Sequence, residues 1–262
     1  PRRRRRVGGR AVRGGDRRSA PLALLTLPGS DRVLAVHGPA LPQPDQLCGP
    51  FSARLALHGI LGEAEVPDLL TLATASGTAL WPKDLSSSRP LNAPPDLTGW
   101  DDLPRAFSAD MGGTEAVGLI AGLEATVGSL VGVVPILGAD LTAYRLGQLL
   151  TSIAVAGRPV GVVANLRTGP ITPVDPGWDV GHFVVLCGID PEPQEVMVAD
   201  TYAELTGPGL PPGCRKVTVA ALAQALAAPP GRGLLLLVPI SDESELRATV
   251  AGAGLTVATW TT

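Results

Sequence analysis

Residues 43–53 read Gln43-Pro44-Asp45-Gln46-Leu47-Cys48-Gly49-Pro50-Phe51-Ser52-Ala53 and join a turn to the start of a helix. Asp45 and the Gly49-Pro50 pair are typical of a turn, and the apolar residues between 53 and 61 recur at helical spacing. Cys48 is therefore expected at or just before the first helical turn. Unpaired backbone N–H groups and the positive end of the helix dipole favour a thiolate there, which is the nucleophilic form of cysteine. The alternative is a small buried apolar side chain, the usual role of a free cysteine.

The composition indicates a folded body behind a basic N-terminal tail. The chain has 262 residues, of which 45% are hydrophobic and 17% are charged, which suits one main domain. Residues 1–18 hold nine arginines and one acid, whereas the rest of the chain holds 12 basic and 23 acidic residues. We expect residues 1–19 to be a disordered Arg/Gly-rich tail. Such a run could touch nucleic acid or anionic lipid, but a solvated tail is the simpler interpretation, so we expect no nucleic-acid partner.

The cysteines indicate a reducing compartment. Cys48, Cys187 and Cys214 are an odd number and too few for a disulfide framework, so the expected location is cytoplasmic. The apolar run that follows the arginines superficially resembles a secretion signal. It is stopped at once by Pro28-Gly29-Ser30-Asp31, and no small-residue cleavage site follows, so we expect no signal peptide.

One segment is apolar enough to require a decision about membranes. Ala116–Leu137 carries a single charge, Glu124, and a transmembrane helix needs about 20 such residues. Glu124 lies near its middle, Pro135 near its end, and no basic or aromatic anchors flank it. We therefore expect a buried helix that breaks near Gly128 and no membrane insertion.

The remaining pattern predicts helices followed by a strand-rich C-terminal half, which is an α+β arrangement. A β-hairpin is expected over Leu22–Leu27 and Arg32–Val36, and a long Pro-rich loop over residues 81–113. Further helices are expected over Val66–Ser76, Ala143–Ala156 and Val217–Ala227. Strands are expected over Pro159–Leu166, His182–Leu186, Val196–Asp200 and Leu234–Val238. Residues 241–262 are expected to form a short helix and a strand, as an extension packed on the domain.

Three histidines are candidates for the base that would serve Cys48. His58 lies ten residues further along the same helix, about 15 Å away at about 1.5 Å per residue, and cannot reach it. His37 is expected at the end of a hairpin strand, where its proximity to Cys48 stays open. His182 follows Gly181 and opens the apolar run that ends at Cys187, which places it on a strand beside a loop.

The strand register suggests a partner for His182. If His182–Leu186 and Val196–Asp200 form an antiparallel hairpin symmetric about Pro191, Leu186 faces Val196 and His182 faces Asp200. Directly opposed side chains lie about 4.5–5.5 Å apart on one face, which lets a carboxylate hold an imidazole. The same alternation sends Cys187 to the other face as a core thiol. A slip of one residue would turn Asp200 to the wrong face.

These residues together resemble the papain-like cysteine peptidases, with the closest likeness to the double-glycine leader peptidases of bacteriocin exporters and their peptidase-like relatives. The resemblance is carried by Gln43, Cys48-Gly49-Pro50, Gly181-His182-Phe183-Val184-Val185-Leu186, Gly188-Ile189-Asp190 and Val196-Met197-Val198-Ala199-Asp200. It implies a papain-like fold over residues 20–240, with a helical N-terminal part that carries the cysteine and a C-terminal antiparallel sheet that carries His182 and Asp200.

The resemblance also implies roles for the residues. Cys48 would attack the carbonyl, His182 would act as the base, and Asp200 would orient the imidazole. Gln43 would help bind the oxyanion, although it lies five residues before Cys48 where the family often has six, and Gln46 competes for that role. No cofactor or metal is implied.

The expected function is therefore that of a cysteine peptidase or amidase acting on a peptide-like amide. An acyltransferase that hands the same thioester to an amine is the alternative, with loop 81–113 as a lid that excludes water. A peptide-binding module that has kept a peptidase fold is the third. The tail also contains Gly8-Gly9 and Gly14-Gly15 pairs, which makes self-cleavage there a further hypothesis.

Overall fold

The computed structural model describes residues 24–83, 85–175, 177–192 and 194–260. The tail expected over residues 1–19 lies outside the described residues. In chain order the longer elements are β1 (Leu25–Thr26), α1 (Ser30–Ala40), α2 (Cys48–His58), α3 (Leu69–Ala75), α4 (Ala116–Val127), β2 (Val131–Leu137), α5 (Ala143–Ala156), β3 (Gly161–Arg167), β4 (Gly181–Asp190), β5 (Glu195–Ala199), β6 (Cys214–Thr218), α6 (Val219–Leu226), β7 (Gly233–Pro239) and α7 (Glu243–Gly252).

The strands form one antiparallel sheet in the order β2-β7-β3-β4-β5-β6, and β1 pairs with the far end of β4. Helices cover both of its faces. Helices α1 to α4 pack on one face with side chains such as Phe183 and Leu235, and α5 to α7 pack on the other with side chains such as Val184 and Leu234. Because both faces are buried, the central strands read as continuous apolar runs. The predicted α+β class is confirmed.

The predicted hairpin at the start of the chain is wrong. The described part of its first strand contains only β1, and the second segment is helix α1, whose Val33 and His37 face the core four residues apart. The turn between them is real. Gly29 has φ +92°, and a Cβ there would collide with the carbonyl of Gly59 at the end of α2, so only glycine lets the two helices approach this closely. A five-residue run with four apolar residues suits a strand or a helix, and packing decided between them.

The apolar segment Ala116–Leu137 is half helix and half strand, where one broken helix was expected. Helix α4 ends at Val127, and the chain enters the sheet as β2, which pairs with β7 along its whole length. The β-branched residues after Gly128 favour the strand. Among the described residues, no helix is long and apolar enough to cross a membrane.

The other predicted elements are present with small boundary changes, except the C-terminal strand, in whose place, within the described residues, only an isolated bridge joins Val257 to Ile136. Helix α6 begins at Val219, because the preceding residues form β6 and Thr218 accepts a capping hydrogen bond from the N–H of Ala221. The long loop is held down by buried Trp100 and Leu103. In the C-terminal extension, Val250 and Trp260 are buried against the body.

Candidate active site

Cys48 is the first residue of α2, and its side chain is only partly buried. Leu47 precedes it as the cap, and Pro50 occupies the first turn, where a missing N–H removes no helical hydrogen bond. Ser52 donates a hydrogen bond to the carbonyl of Phe183 at 2.9 Å. This bond ties the first turn of α2 to β4 one residue away from His182, and so sets the position of Cys48 relative to the imidazole.

The pKa of the Cys48 thiol is lowered. Burial by itself raises this pKa, but a hydrogen bond with His182 and the charge of its imidazolium outweigh burial, and the backbone N–H groups of Phe183 and Gly49 help. The pKa of His182 is raised to about 9, since the charge and hydrogen bond of Asp200 and the interaction with Cys48 overcome the effect of burial. Both shifts favour a thiolate–imidazolium pair.

Asp200 contacts His182 through one ring nitrogen, Nε2. Nε2 of His182 lies 3.0 Å from Oδ1 of Asp200 and 3.2 Å from Oγ1 of Thr201. With Nε2 engaged there, Nδ1 is the nitrogen left for the thiol. Burial raises the pKa of Asp200, but the charges of Arg215 and His182 lower it well below its usual range, so the carboxylate is ionised.

The register between β4 and β5 differs from the predicted one by two residues. Leu186 pairs with Val198, not with Val196, because the strands are joined by a four-residue connection centred beyond Pro191. Near that connection Gly188 pairs with Met197, and the irregularity at Cys187 shifts the pairing by one. A shift of two residues returns side chains to the same face, so Asp200 still reaches His182.

Asp200 itself is anchored from behind. Nη2 of Arg215 donates to Oδ2 of Asp200 at 2.6 Å, and the N–H of Thr201 donates to Oδ1 at 2.8 Å. Arg215 also donates to the carbonyl of Ile171 and, at 3.2 Å, to Oγ1 of Thr172. The sequence reasoning missed Arg215, because it predicted no strand over Cys214–Thr218.

Two aromatic side chains shield the imidazole, and the sequence reasoning missed both. The ring of Trp178 meets that of His182 edge-on with centroids 5.1 Å apart, and Tyr202 stacks on the imidazole at 6.0 Å. Trp178, Tyr202, Ala93 and Leu205 form a small buried cluster, so the long loop contributes to the cover through Ala93. The cluster keeps water away from the bond between His182 and Asp200, which strengthens it.

The two candidate glutamines have different neighbours. Gln43 is buried, and its Nε2 donates at 3.1 Å to the hydroxyl of Tyr202, the residue whose ring stacks on the imidazole. Gln46 is held by the backbone of Trp81, to whose carbonyl it donates at 2.6 Å and from whose N–H it accepts at 2.8 Å. Gln43 therefore has the better position for an oxyanion donor, and Gln46 anchors the start of the long loop.

The other histidines lie away from Cys48. His37 is buried in α1, with Nε2 2.6 Å from the carbonyl oxygen of Asp200 and Nδ1 3.7 Å from Sγ of Cys214. Burial lowers its pKa, so its neutral ring holds the backbone of Asp200. His58 ends α2. In the described part of the chain, no group of three or more His, Cys, Asp or Glu side chains is arranged to hold a metal ion.

The other two cysteines are core thiols. Cys187 and Cys214 are buried, and burial raises their pKa values to about 12 and about 11. Cys48 thus differs from them both in exposure and in the direction of its pKa shift.

Comparison with known proteins identifies a family. Residues 27–261 match the model described as "Family of unknown function (DUF6885)", and this range contains strands β2 to β7, helices α1 to α7 and every candidate residue described above. No curated protein matches the chain.

Proposed function

We propose that this chain, which belongs to the DUF6885 family, is a papain-like cysteine peptidase or amidase that cleaves a peptide-like amide. The observation that supports this most directly is the continuous series of interactions from Cys48 through His182 to Asp200. A nucleophile with a lowered pKa, a base and a group that orients the base are the elements of triad catalysis.

In the proposed reaction the Cys48 thiolate attacks the amide carbonyl carbon and forms a tetrahedral intermediate. His182 gives its Nδ1 proton to the departing nitrogen, the C–N bond breaks, and a thioester on Cys48 remains. Water then adds to the thioester carbon and loses a proton to Nδ1. The C–S bond breaks, which releases the acid and restores the thiolate–imidazolium pair.

The oxyanion of both intermediates would accept hydrogen bonds from the Cys48 backbone N–H and from Nε2 of Gln43. The first N–H groups of α2 point away from the helix and add the positive end of its dipole. Tyr202 holds the Gln43 amide, so this donor is positioned before substrate arrives.

An acyltransferase is the second candidate, and one feature favours it. A cleft of ≈ 300 Å³ lies between the long loop and Trp178, and its lining includes Arg89, Asn92 and Asp175. Trp178 packs against His182, so an amine bound there would lie one side chain away from the imidazole. A purely peptide-binding role ranks third, because binding alone does not require the lowered pKa of Cys48.

The test is to digest a peptide library and read the new termini by mass spectrometry, with and without an added amine such as glycinamide. We expect new termini with the wild-type chain and none with Cys48→Ala or His182→Ala. Products that gain the mass of the amine would favour transfer over hydrolysis.

A matched alkylation measurement makes the proposal refutable without a known substrate. Iodoacetamide at neutral pH should modify Cys48 well before Cys187 and Cys214, and His182→Ala should slow the reaction. If Cys48 reacts no faster than the core thiols, and no Cys48-dependent termini appear, the proposed function is wrong.

A further inference from the structure

Arg232 is a buried cation beside the candidate active site that the proposed triad does not use. It lies just before β7, with 8% of its surface exposed. Its Nη1 donates to Oδ1 of Asn165 at 3.2 Å, whereas its Nε has no hydrogen-bond partner within the described residues. Arg232 also forms no ion pair within the described residues. A buried guanidinium without an anion is costly, so its retention calls for an explanation.

The guanidinium lies against Gly181 at the start of β4. A Cβ on Gly181 would lie 2.9 Å from Nη2 of Arg232, so the cation covers the exposed residue that directly precedes His182. Burial and the charge of Arg167 lower the pKa of Arg232, while the charges of Cys48 and Asp179 raise it.

Asp179, whose charge acts on Arg232, already has hydrogen-bond partners. Asp179 accepts hydrogen bonds from Nε and Nη2 of Arg167 at 3.1 and 2.9 Å, and from the N–H of Gly169 at 3.2 Å. Its backbone carbonyl accepts a further bond from Arg167 at 2.8 Å. Asp179 is therefore hydrogen-bonded to Arg167, and no carboxylate among the described residues forms an ion pair with Arg232.

We propose that Arg232 is the anion-binding end of a substrate subsite, and that the amide cleaved at Cys48 belongs to a molecule with a carboxylate near the scissile bond. Arginine suits this task because its planar fork binds carboxylates through two parallel hydrogen bonds. The inference rests on the proposed function and adds the chemical class of the substrate.

The sheet topology places this subsite. Strands β3 and β7 lie on one side of β4, whereas β5 lies on the other. Asn165 and Arg232 therefore flank His182 on the side opposite to Asp200 and Tyr202. A substrate with its carbonyl oxygen towards Gln43 would extend its carboxylate across Gly181 to Arg232.

Two alkylating probes that differ only in charge test the proposal. N-iodoacetyl-glutamate α-amide and N-iodoacetyl-glutamine α-amide carry the same reactive group, and the rate of Cys48 modification by each is measured by intact mass. In the wild-type chain we expect the glutamate probe to react about tenfold faster, as a charge-assisted hydrogen bond allows.

Three variants and one control define the result. Arg232→Gln should bring the ratio of the two rates close to one, and Arg232→Lys should retain part of the preference. Asn165→Asp should also abolish it, because the new carboxylate neutralises Arg232 while leaving the arginine in place. Arg158→Gln changes the net charge equally at the opposite end of β3 and should leave the ratio unchanged. Thermal melts followed by circular dichroism show which variants are folded.

The outcomes separate this inference from the proposed function. A wild-type ratio near one, with Cys48 still reactive in a His182-dependent way, overturns the carboxylate subsite alone. A preference that survives in Asn165→Asp and in folded Arg232→Gln also overturns it. Slow, His182-independent reaction of Cys48 with both probes refutes the proposed function, and the subsite with it. If Arg232→Gln slows both probes equally, Arg232 serves the thiolate and not the substrate.

Discussion

Arg215 donates from Nη2 to Oδ2 of Asp200 at 2.6 Å, and both side chains are buried. The other oxygen of the same carboxylate faces His182 at 3.0 Å. The carboxylate thus lies between two cationic partners, one on each of its oxygens. This arrangement makes Asp200 rigid, and it stabilises the imidazolium that the proposed reaction needs.

Removing Arg215 should therefore destabilise the protein. Arg215→Met leaves the Asp200 carboxylate buried without its main partner, and breaking a buried pair in this way costs about 3–5 kcal/mol. Urea unfolding followed by circular dichroism measures the free energy of unfolding. Arg158→Gln, on an exposed arginine paired with Glu245, is the matched control and should change it far less, because exposed ion pairs contribute little to stability. Equal effects of the two substitutions would contradict this account of Asp200.

The proposed activity should fail at high pH. Hydrolysis needs the imidazolium proton, and because the pKa of His182 is raised to about 9, the rate should fall as the pH rises through that value. Asp200→Asn removes the charge that raises this pKa, so the alkaline limb of the kcat/KM profile should move to lower pH. An alkaline limb at the same pH in both proteins would show that Asp200 does not act on His182.

The titration of His182 should also make the free energy of unfolding depend on pH. The folded pKa of His182 lies above its ordinary value of 6.5, so its contribution is fully present below pH 6.5 and is lost as the pH rises through about 9. The difference in free energy of unfolding between the wild-type chain and His182→Gln should shrink over that interval. Chemical denaturation at a series of pH values measures it. A difference that grows with pH would show that the neutral imidazole is the form that folding favours.

Substitutions of Gln43 and Gln46 should have different effects on turnover. Gln43→Ala should lower the turnover of a peptide substrate by about 10²–10³, as loss of one oxyanion donor does, while alkylation of Cys48 by iodoacetamide stays near the wild-type rate. Gln46→Ala removes both hydrogen bonds to the backbone of Trp81 and should loosen the long loop, which limited proteolysis detects. Loss of turnover in Gln46→Ala with full activity in Gln43→Ala would reverse the assignment.

The three thiols should differ in their pH dependence. Iodoacetamide reacts with thiolates, and the pKa values of Cys187 and Cys214 are raised to about 12 and about 11 while that of Cys48 is lowered. At pH 7 peptide mapping should find the label on Cys48 at least tenfold ahead of the other two. Comparable labelling after a short exposure would mean that Cys48 is an ordinary thiol.

Local sequence predicted the elements that carry the site and missed their partners. The turn and helical spacing around Cys48 and the apolar run after His182 are short-range patterns, and both elements are present. Arg215, Trp178 and Tyr202 approach His182 only through the folded sheet and its loops, so no spacing in the sequence marks them. The segments 32–36 and 131–137 were assigned to the wrong element type, because short apolar runs suit either conformation until packing selects one.

By itself, the sequence determined that Cys48 begins a helix, that His182 lies at the start of one strand and that Asp200 lies at the end of the next. These positions follow from turn residues and from apolar periodicity. Only the tertiary structure decided that the two strand residues share a face. Near the connection, Gly188 pairs with Met197, and this register carried along the strands would leave His182 and Asp200 on opposite faces. The irregularity at Cys187 inserts one residue into β4, so that Leu186 pairs with Val198. The extra residue returns the side chains of His182 and Asp200 to the same face of the sheet. A bulge arises from the pairing of two strands and their neighbours, and side-chain alternation within one strand contains no trace of it.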